Sequence, residues 1–299
     1  MQSIQRDATL FRSDRMAQDL AASIRARLLN IAKAENTDFN QILVRYALER
    51  LLYRISQSEY SGQFLLKGAL LFTLWYDMPH RPTRDADLLG FGDSDIKSIE
   101  KAFREISSIQ ADDGVIFDPD SVVVEEIRKE AGYAGARLLI TAELAKARSK
   151  TQVDIGFGDV VTPHPIDAIY PTLIHNMPAP QLRVYPIYTV AAEKLHAIAL
   201  LGMTNTRLKD YFDLQVLLDR EKIDIQILTE AISATFTRRG MPIPIEVPVG
   251  LTEEFTNDPT RQKLWDAFLK KNDIKPISLS KTASQIKNLF EKIINALNS

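Results

Sequence analysis

Between Phe64 and Phe157 the apolar residues come in short runs broken by turn residues, whereas on either side they recur at spacings of three and four. A period near 3.6 belongs to an amphipathic helix and short bounded runs belong to strands. A chain patterned this way must bury a sheet against helices, so the fold class expected is α+β: a mixed sheet flanked by helices, followed by a mostly helical C-terminal region.

Met16, Leu20, Ile24, Leu28 and Ile31 mark one face of a first helix, and Ile42, Leu43, Tyr46, Ala47, Leu51, Leu52 and Ile55 mark a second after a turn at Asn36-Thr37-Asp38. Arg50 and Arg54, four apart, share a side of that second helix, while Arg45 lies elsewhere and can pair with Glu49. They read either as solvated surface charge or as part of a rim that attracts phosphate. Strands are expected at Phe64–Leu66, Asp85–Leu89, Ser121–Ile127, Ala136–Thr141 and Thr151–Phe157, with helices at 70–76 and 95–109. After Pro163 helices are expected at 188–201, 207–218, 224–236, 253–269 and 284–297, with an extended connector over 240–250 that carries Pro242, Pro244 and Pro248. The boundaries this pattern implies are N-terminal helices over 1–62, a sheet domain over 63–186 and a helical domain over 187–299.

Three carboxylates carry the chemistry. Asp85 and Asp87 stand two apart on an expected strand, so they leave one face while Ala86 and Leu88 enter the core. In Gln152-Val153-Asp154-Ile155-Gly156-Phe157, Asp154 projects opposite the apolar Val153, Ile155 and Phe157. If the two strands are near neighbours, three acidic side chains share one polar patch. Like charges so placed raise one another's pKa unless a cation joins them. Mg²⁺ is the natural occupant, and two such ions would clamp a nucleoside triphosphate and activate an attacking hydroxyl. An Asp-x-Asp pair also arises by chance at strand ends; a calcium loop is excluded because no Asp-x-Asp-x-Asp-Gly run with a downstream Glu is present.

Lys67-Gly68-Ala69 joins a strand to a helix upstream, where a glycine either makes a tight turn or lets backbone N–H groups approach a phosphate. It is not a Walker loop. Downstream, Lys194 lies in the otherwise apolar Ala191-Ala192-Glu193-Lys194-Leu195-His196-Ala197. Arg207-Leu208-Lys209-Asp210-Tyr211-Phe212-Asp213 opens the next helix, with Asp210 and Asp213 on one face. Either this is a salt-bridged helix pair, or the lysine serves a triphosphate. His80, His164, His175 and His196 have no metal spacing, His196 reads as packing or polar surface, and the absence of cysteine excludes thiol catalysis and cysteine zinc sites.

Taken in order, Leu66-Lys67-Gly68-Ala69, Arg81-Pro82-Thr83-Arg84-Asp85-Ala86-Asp87, Val153-Asp154-Ile155-Gly156-Phe157-Gly158-Asp159, Ala192-Glu193-Lys194-Leu195 and Arg207-x-Lys209-Asp210-x-x-Asp213 resemble the AbiEii/AbiGii toxin family of nucleotidyltransferases. That family includes the MenT-type toxins and belongs to the DNA polymerase β-like superfamily. The resemblance implies that Gly68 and Ala69, next to Lys67, hold nucleotide phosphates. Asp85 and Asp87 would bind metal, and Asp154 would be the third acidic ligand and help deprotonate the attacking hydroxyl. Lys194 would contact the triphosphate. Asp210, with Arg207, Lys209 and Asp213, would complete the distal pocket, and Thr83 and Arg84 would shape its entrance. Ala69 stands where many superfamily members carry a hydroxyl residue, which removes one side-chain contact and leaves the backbone donors.

The resemblance further implies an NTP substrate, Mg²⁺ (two ions), a cognate antitoxin protein and transfer of NMP to an RNA 3′ end, tRNA above all, so that translation stops. Alternatives within the fold are a protein or small-molecule hydroxyl as acceptor, or an NTP-binding module without turnover. With 37 Lys+Arg against 39 Asp+Glu the chain is no general polyanion binder. An RNA acceptor would need a local basic track, for which Arg45, Arg50, Arg54, Arg81, Arg84 and Lys146-x-Arg148-x-Lys150 are candidates. The N-terminus lacks an apolar secretion signal and no run is long enough for a membrane helix. A cytoplasmic monomer with no membrane contact is the expectation.

Overall fold

The computed structural model describes residues 2–76, 81–128 and 134–298, with side-chain detail for 18–76, 81–127 and 135–298; His80 and the side chain of Met16 lie outside the described residues. The chain divides into two compact units, one formed by residues 1–158 and 167–184 and the other by 159–166 and 185–299.

In the first unit, α1 (Gln2–Ala34) and α2 (Phe39–Gln57) form the helical layer expected from the periodicity. The turn between them is set by Asn36, which adopts φ 50°, and by Asp38, whose carboxylate caps α2 by accepting from the Asn40 amide at 2.9 Å. The sheet elements are β1 (Phe64–Lys67), β2 (Asp85–Gly90), β3 (Val115–Arg128), β4 (Ala134–Leu144), β5 (Ala147–Phe157), β6 (Ile166–Ile169) and β7 (Gln181–Val184). Between them lie the short α3 (Leu70–Tyr76) and α4 (Ile96–Ser108). The strand order is β3-β4-β5-β2-β1-β7-β6. β2 runs parallel to β5 and antiparallel to β1, which runs parallel to β7, so the sheet is mixed as expected.

Alternation decides which face is core. Ala86, Leu88, Val153, Ile155, Ala136, Leu138 and Ile140 are at most 2% exposed and face the helical layer, where α4 packs on β3 and α2 on β5. The opposite face of the same strands carries the polar set Asp85, Asp87, Gln152, Asp154 and Arg137.

Two of the three cations expected at the surface of α2, Arg50 and Arg54, are buried instead, and the expectation that they belong to a basic rim is corrected. Arg50 and Arg54 are 0% and 2% exposed. Arg54 donates to both oxygens of Asp113 at 2.7 and 3.2 Å and to the carbonyls of Ile109, Arg50 and Val115. Arg50 donates to the Pro178 carbonyl at 3.0 Å and pairs with Glu49, whose other oxygen accepts from the Leu173 amide. Arg45 pairs with Glu35 at 2.6 Å rather than with Glu49. A helix that is polar at these positions is therefore buried there too. Its charges tie down the connections before β3 and between β6 and β7, which by themselves hold few ladder bonds.

The second unit contains α5 (Ile187–Leu201), α6 (Leu208–Arg220), α7 (Ile225–Arg238), α8 (Glu253–Thr256), α9 (Pro259–Lys271) and α10 (Leu279–Leu297). α5 packs on α6 and α7, and α10 on α6 and α7. Tyr211 stacks on Phe255 with ring centroids 5.4 Å apart and donates to the Gly250 carbonyl at 2.8 Å. Among the described residues no helix is long and apolar enough to cross a membrane.

Candidate active site

The polar face of the first unit is organised by register. Lys67 on β1 pairs with Asp87 on β2, Asp87 with Asp154 on β5, and Asp154 with Arg137 on β4. Four consecutive strands thus carry, side by side, a cation, two carboxylates and a cation. Asp85 lies one step along β2, opposite Gln152. The sheet brings together the three carboxylates that the sequence singled out, because β2 and β5 are direct neighbours in parallel.

Each carboxylate has its own support. Thr83 donates to Asp85 Oδ1 at 2.6 Å, so this residue orients the first acid. Arg137 holds Asp154 with a two-pronged fork, Nε to Oδ1 at 2.9 Å and Nη2 to Oδ2 at 2.7 Å, and Gln152 adds a third bond to Oδ1 at 3.1 Å. The hydrogen bond to Asp154 raises the Arg137 pKa, with the Asp154 and Asp85 charges adding to it. Asp87 faces Gly68, which sits at φ +75° just before α3; a Cβ there would lie 2.8 Å from Asp87 Cβ and Cγ and closer still to Oδ2. Glycine is required at this point both by the backbone angle and by the approach of the carboxylate. Ala69 is buried at 8% exposure, Lys67 at 8%, and Arg84 is exposed at the start of β2.

Sequence patterning missed Arg137. Its strand was expected, but nothing in Ala136-Arg137-Leu138 shows that it faces Asp154; only the β4–β5 register does.

The donor set fits a hard divalent cation in kind: three carboxylates on one face, one of them packed against the side-chain-free backbone of Gly68. Among the described residues no three acidic or histidine side chains are already gathered as a ligand set. The hydrogen bonds explain this, since Asp154 is turned to Arg137 and Asp85 to Thr83.

Within the second unit the residues singled out form a cluster of their own. Lys194 on α5 donates to Asp210 at 2.9 Å and to Asp213 at 2.6 Å, both on α6 and both 1% exposed. Arg207 reaches the other oxygen of Asp210 at 2.9 Å, and Lys209 is exposed. The i, i+3 spacing of the two aspartates, visible in the sequence, aims both at one ammonium. Nearby, Arg239 binds Asp159 at 2.9 Å and Glu193 at 3.2 Å and approaches His196 Nδ1 at 3.4 Å. His196 is 2% exposed, and burial followed by the Arg239 charge holds its pKa down to about 4. It is a packed residue, not a surface one.

A mixed sheet that sets an Asp-x-Asp strand beside a third acidic strand is the arrangement expected of a nucleotidyltransferase. The model of the family described as "Nucleotidyl transferase AbiEii toxin, Type IV TA system" matches residues 50–291, and the chain belongs to that family. It is therefore a nucleotidyltransferase-family toxin of a toxin–antitoxin system. Among solved structures, JHP933 from Helicobacter pylori aligns over 87% of this chain and 94% of its own at a TM-score of 0.50 with 15% identity, a likeness of fold. A candidate nucleotidyltransferase from H. pylori aligns over 87% and 95% at a TM-score of 0.47 with 16% identity. No curated protein matches the chain.

Proposed function

We propose that this toxin is a Mg²⁺-dependent enzyme that transfers NMP from an NTP to the 3′ end of an RNA, with the tRNA acceptor end as its target, and so blocks translation. The observation that carries this reading is the register of Asp85, Asp87 and Asp154 on one face of the sheet in a chain of the AbiEii family.

Asp85, Asp87 and Asp154 would hold the metal, which when bound supplies positive charge to the displaced phosphate oxygens. The remaining work belongs to the chain. Thr83 fixes the orientation of Asp85. Gly68, lacking a side chain, lets the Asp87 carboxylate stand directly against the backbone that leads into α3, where the reading puts the nucleotide phosphates. Asp154 has more lone pairs than a single metal contact uses, and with another it would accept the proton of a ribose 3′-hydroxyl. In the second unit the reading assigns the triphosphate to Lys194, with Asp210 and Asp213 as the counter-charges that hold its ammonium still, and Arg207 and Lys209 beside them. A nucleoside α-phosphate is attacked, and pyrophosphate leaves.

An RNA acceptor is favoured by a basic run at the β4–β5 turn. Lys146 is exposed on the turn, and Arg148 and Lys150 are exposed on the strand that carries Gln152 and Asp154 on the same face. Alternate residues of a strand lie about 6.6 Å apart, so this stripe leads stepwise toward the carboxylates. Arg148 pairs with Glu143 at 2.8 Å, an exposed contact that a phosphate can replace.

The test is end-labelling. Total bacterial tRNA, Mg²⁺ and each α-³²P-NTP in turn are incubated with the protein and with an Asp85→Ala control. Label on tRNA from the intact protein alone supports the reading and identifies the base. Label on a polypeptide or a small product, with tRNA unmodified, replaces the acceptor. NTP binding with no transfer to anything removes the toxin chemistry altogether.

A further inference from the structure

Two of the three carboxylates, Asp87 and Asp154, have cations in register beside them. Asp87 and Asp154 stand on adjacent strands, about 4.8 Å apart, where two negative charges repel unless they are compensated. Lys67 and Arg137 bracket them in register. The two cations differ in freedom: Lys67 is buried at 8% exposure, while the Arg137 side chain is 40% exposed against 11% for Asp154. Arg137 can leave its post; Lys67 is enclosed.

It also has somewhere to go. On the far side of β4, the register partner of Arg137 is Glu125 of β3, an exposed carboxylate whose charge already acts on the guanidinium. Arg137 thus lies between two acids on neighbouring strands, bonded to both oxygens of one and in register with the other.

We propose that Arg137 is a resident counter-ion: it occupies Asp154 in the metal-free protein, and a divalent cation displaces it toward Glu125 on loading. This rests on the metal-dependent reading above. The arrangement explains why three carboxylates share a face without yet forming a ligand set. A guanidinium takes both oxygens of Asp154, and one of them must be released before that side chain can turn to Asp85 and Asp87. Arg137 then offsets the repulsion between Asp87 and Asp154, and sets the threshold at which metal enters. A positioning arginine, needed to aim Asp154 at the metal, would have the opposite effect on affinity.

Mn²⁺ affinity, measured by electron paramagnetic resonance on the full chain without nucleotide, separates the two. Arg137→Gln is expected to bind Mn²⁺ about three- to fivefold tighter than the natural protein, the worth of one half-exposed ion pair. Its metal-free melting temperature should fall by about 2–4 °C, and its melting shift on adding Mn²⁺ should grow. Glu125→Gln, which removes the receiving carboxylate, should bind Mn²⁺ more weakly. Arg137→Lys, which keeps the charge and loses the fork, should lie between Arg137→Gln and the natural protein; it carries the test alone if the glutamine variant does not fold. Unchanged or weaker Mn²⁺ binding by the Arg137 variants overturns the proposal while leaving the metal-dependent reading intact. Binding by the natural protein that survives Asp87→Asn, or no binding by any of these proteins, overturns both.

Discussion

Gly68 and Asp87 approach so closely that no side chain fits between them: a Cβ on Gly68 would lie 2.8 Å from Asp87 Cβ and Cγ. Gly68→Ala must therefore move Asp87 and also accept a φ of +75°, which an L-residue adopts at a cost of about 1–2 kcal/mol. Urea unfolding should show destabilisation of about 1–3 kcal/mol. Transfer should fall by about 100-fold, because a displacement near 1 Å at a reacting centre has that effect. Full turnover by a folded Gly68→Ala protein would remove Asp87 from the chemistry.

Arg54 and Asp113 are 2% and 1% exposed and joined by two hydrogen bonds, so each supplies the opposite charge to a partner withdrawn from water. Arg54→Met leaves a buried carboxylate and three carbonyls without their donor, and should destabilise the protein by about 3–5 kcal/mol. Affinity for RNA, measured on whatever fraction remains folded at low temperature, should not change. A stable Arg54→Met protein with weakened RNA binding would return this arginine to the surface role that its sequence spacing allows.

His196 makes the second unit sensitive to acid. Its pKa is held down to about 4, chiefly by burial, against about 6.5 in an unfolded chain. Between those values the unfolded state binds the extra proton, so stability rises with pH across this window. The contribution is fully present above about 6.5 and is lost as pH falls through about 4. Arg239 reaches Nδ1, which fixes the neutral ring with its proton on Nε2. The urea midpoint should drop between pH 7 and pH 4.5 by the equivalent of about 2 kcal/mol, and His196→Gln should flatten that slope. An equal slope in the variant would assign the acid sensitivity to other groups.

Much of this was legible in the sequence where a local rule applies. Alternation placed Asp85, Asp87 and Asp154 on polar strand faces, and the i, i+3 spacing placed Asp210 and Asp213 together. What failed depends on contacts distant in sequence. Arg50 and Arg54 look solvent-facing because their helix is polar at those positions. Their burial follows from connections up to 128 residues away, as with the Pro178 carbonyl that Arg50 binds. β6 and β7, four residues each, lie between prolines and carry too few residues for a period to show. Arg137 could be found only from strand pairing, since the register that sets it against Asp154 is a property of the hairpin and not of either strand.

The basic run at the β4–β5 turn gives the sharpest test of the acceptor. If Lys146, Arg148 and Lys150 each neutralise one phosphate of a single-stranded 3′ end, then replacing all three with glutamine should reduce the slope of log affinity against log salt by about 2. These side chains are exposed and two of them lie on a strand held by β4, so the fold should be kept, with a melting temperature within about 2 °C of the natural protein. The substitution touches neither the carboxylates nor Gly68. The Michaelis constant for tRNA should therefore rise while that for NTP stays constant, measured with the same end-labelling reaction at several salt concentrations. A rise in both constants together would mean that the run acts on the nucleotide. No change in either would place the acceptor elsewhere, and Arg84, exposed at the start of β2, would be the next cation to replace.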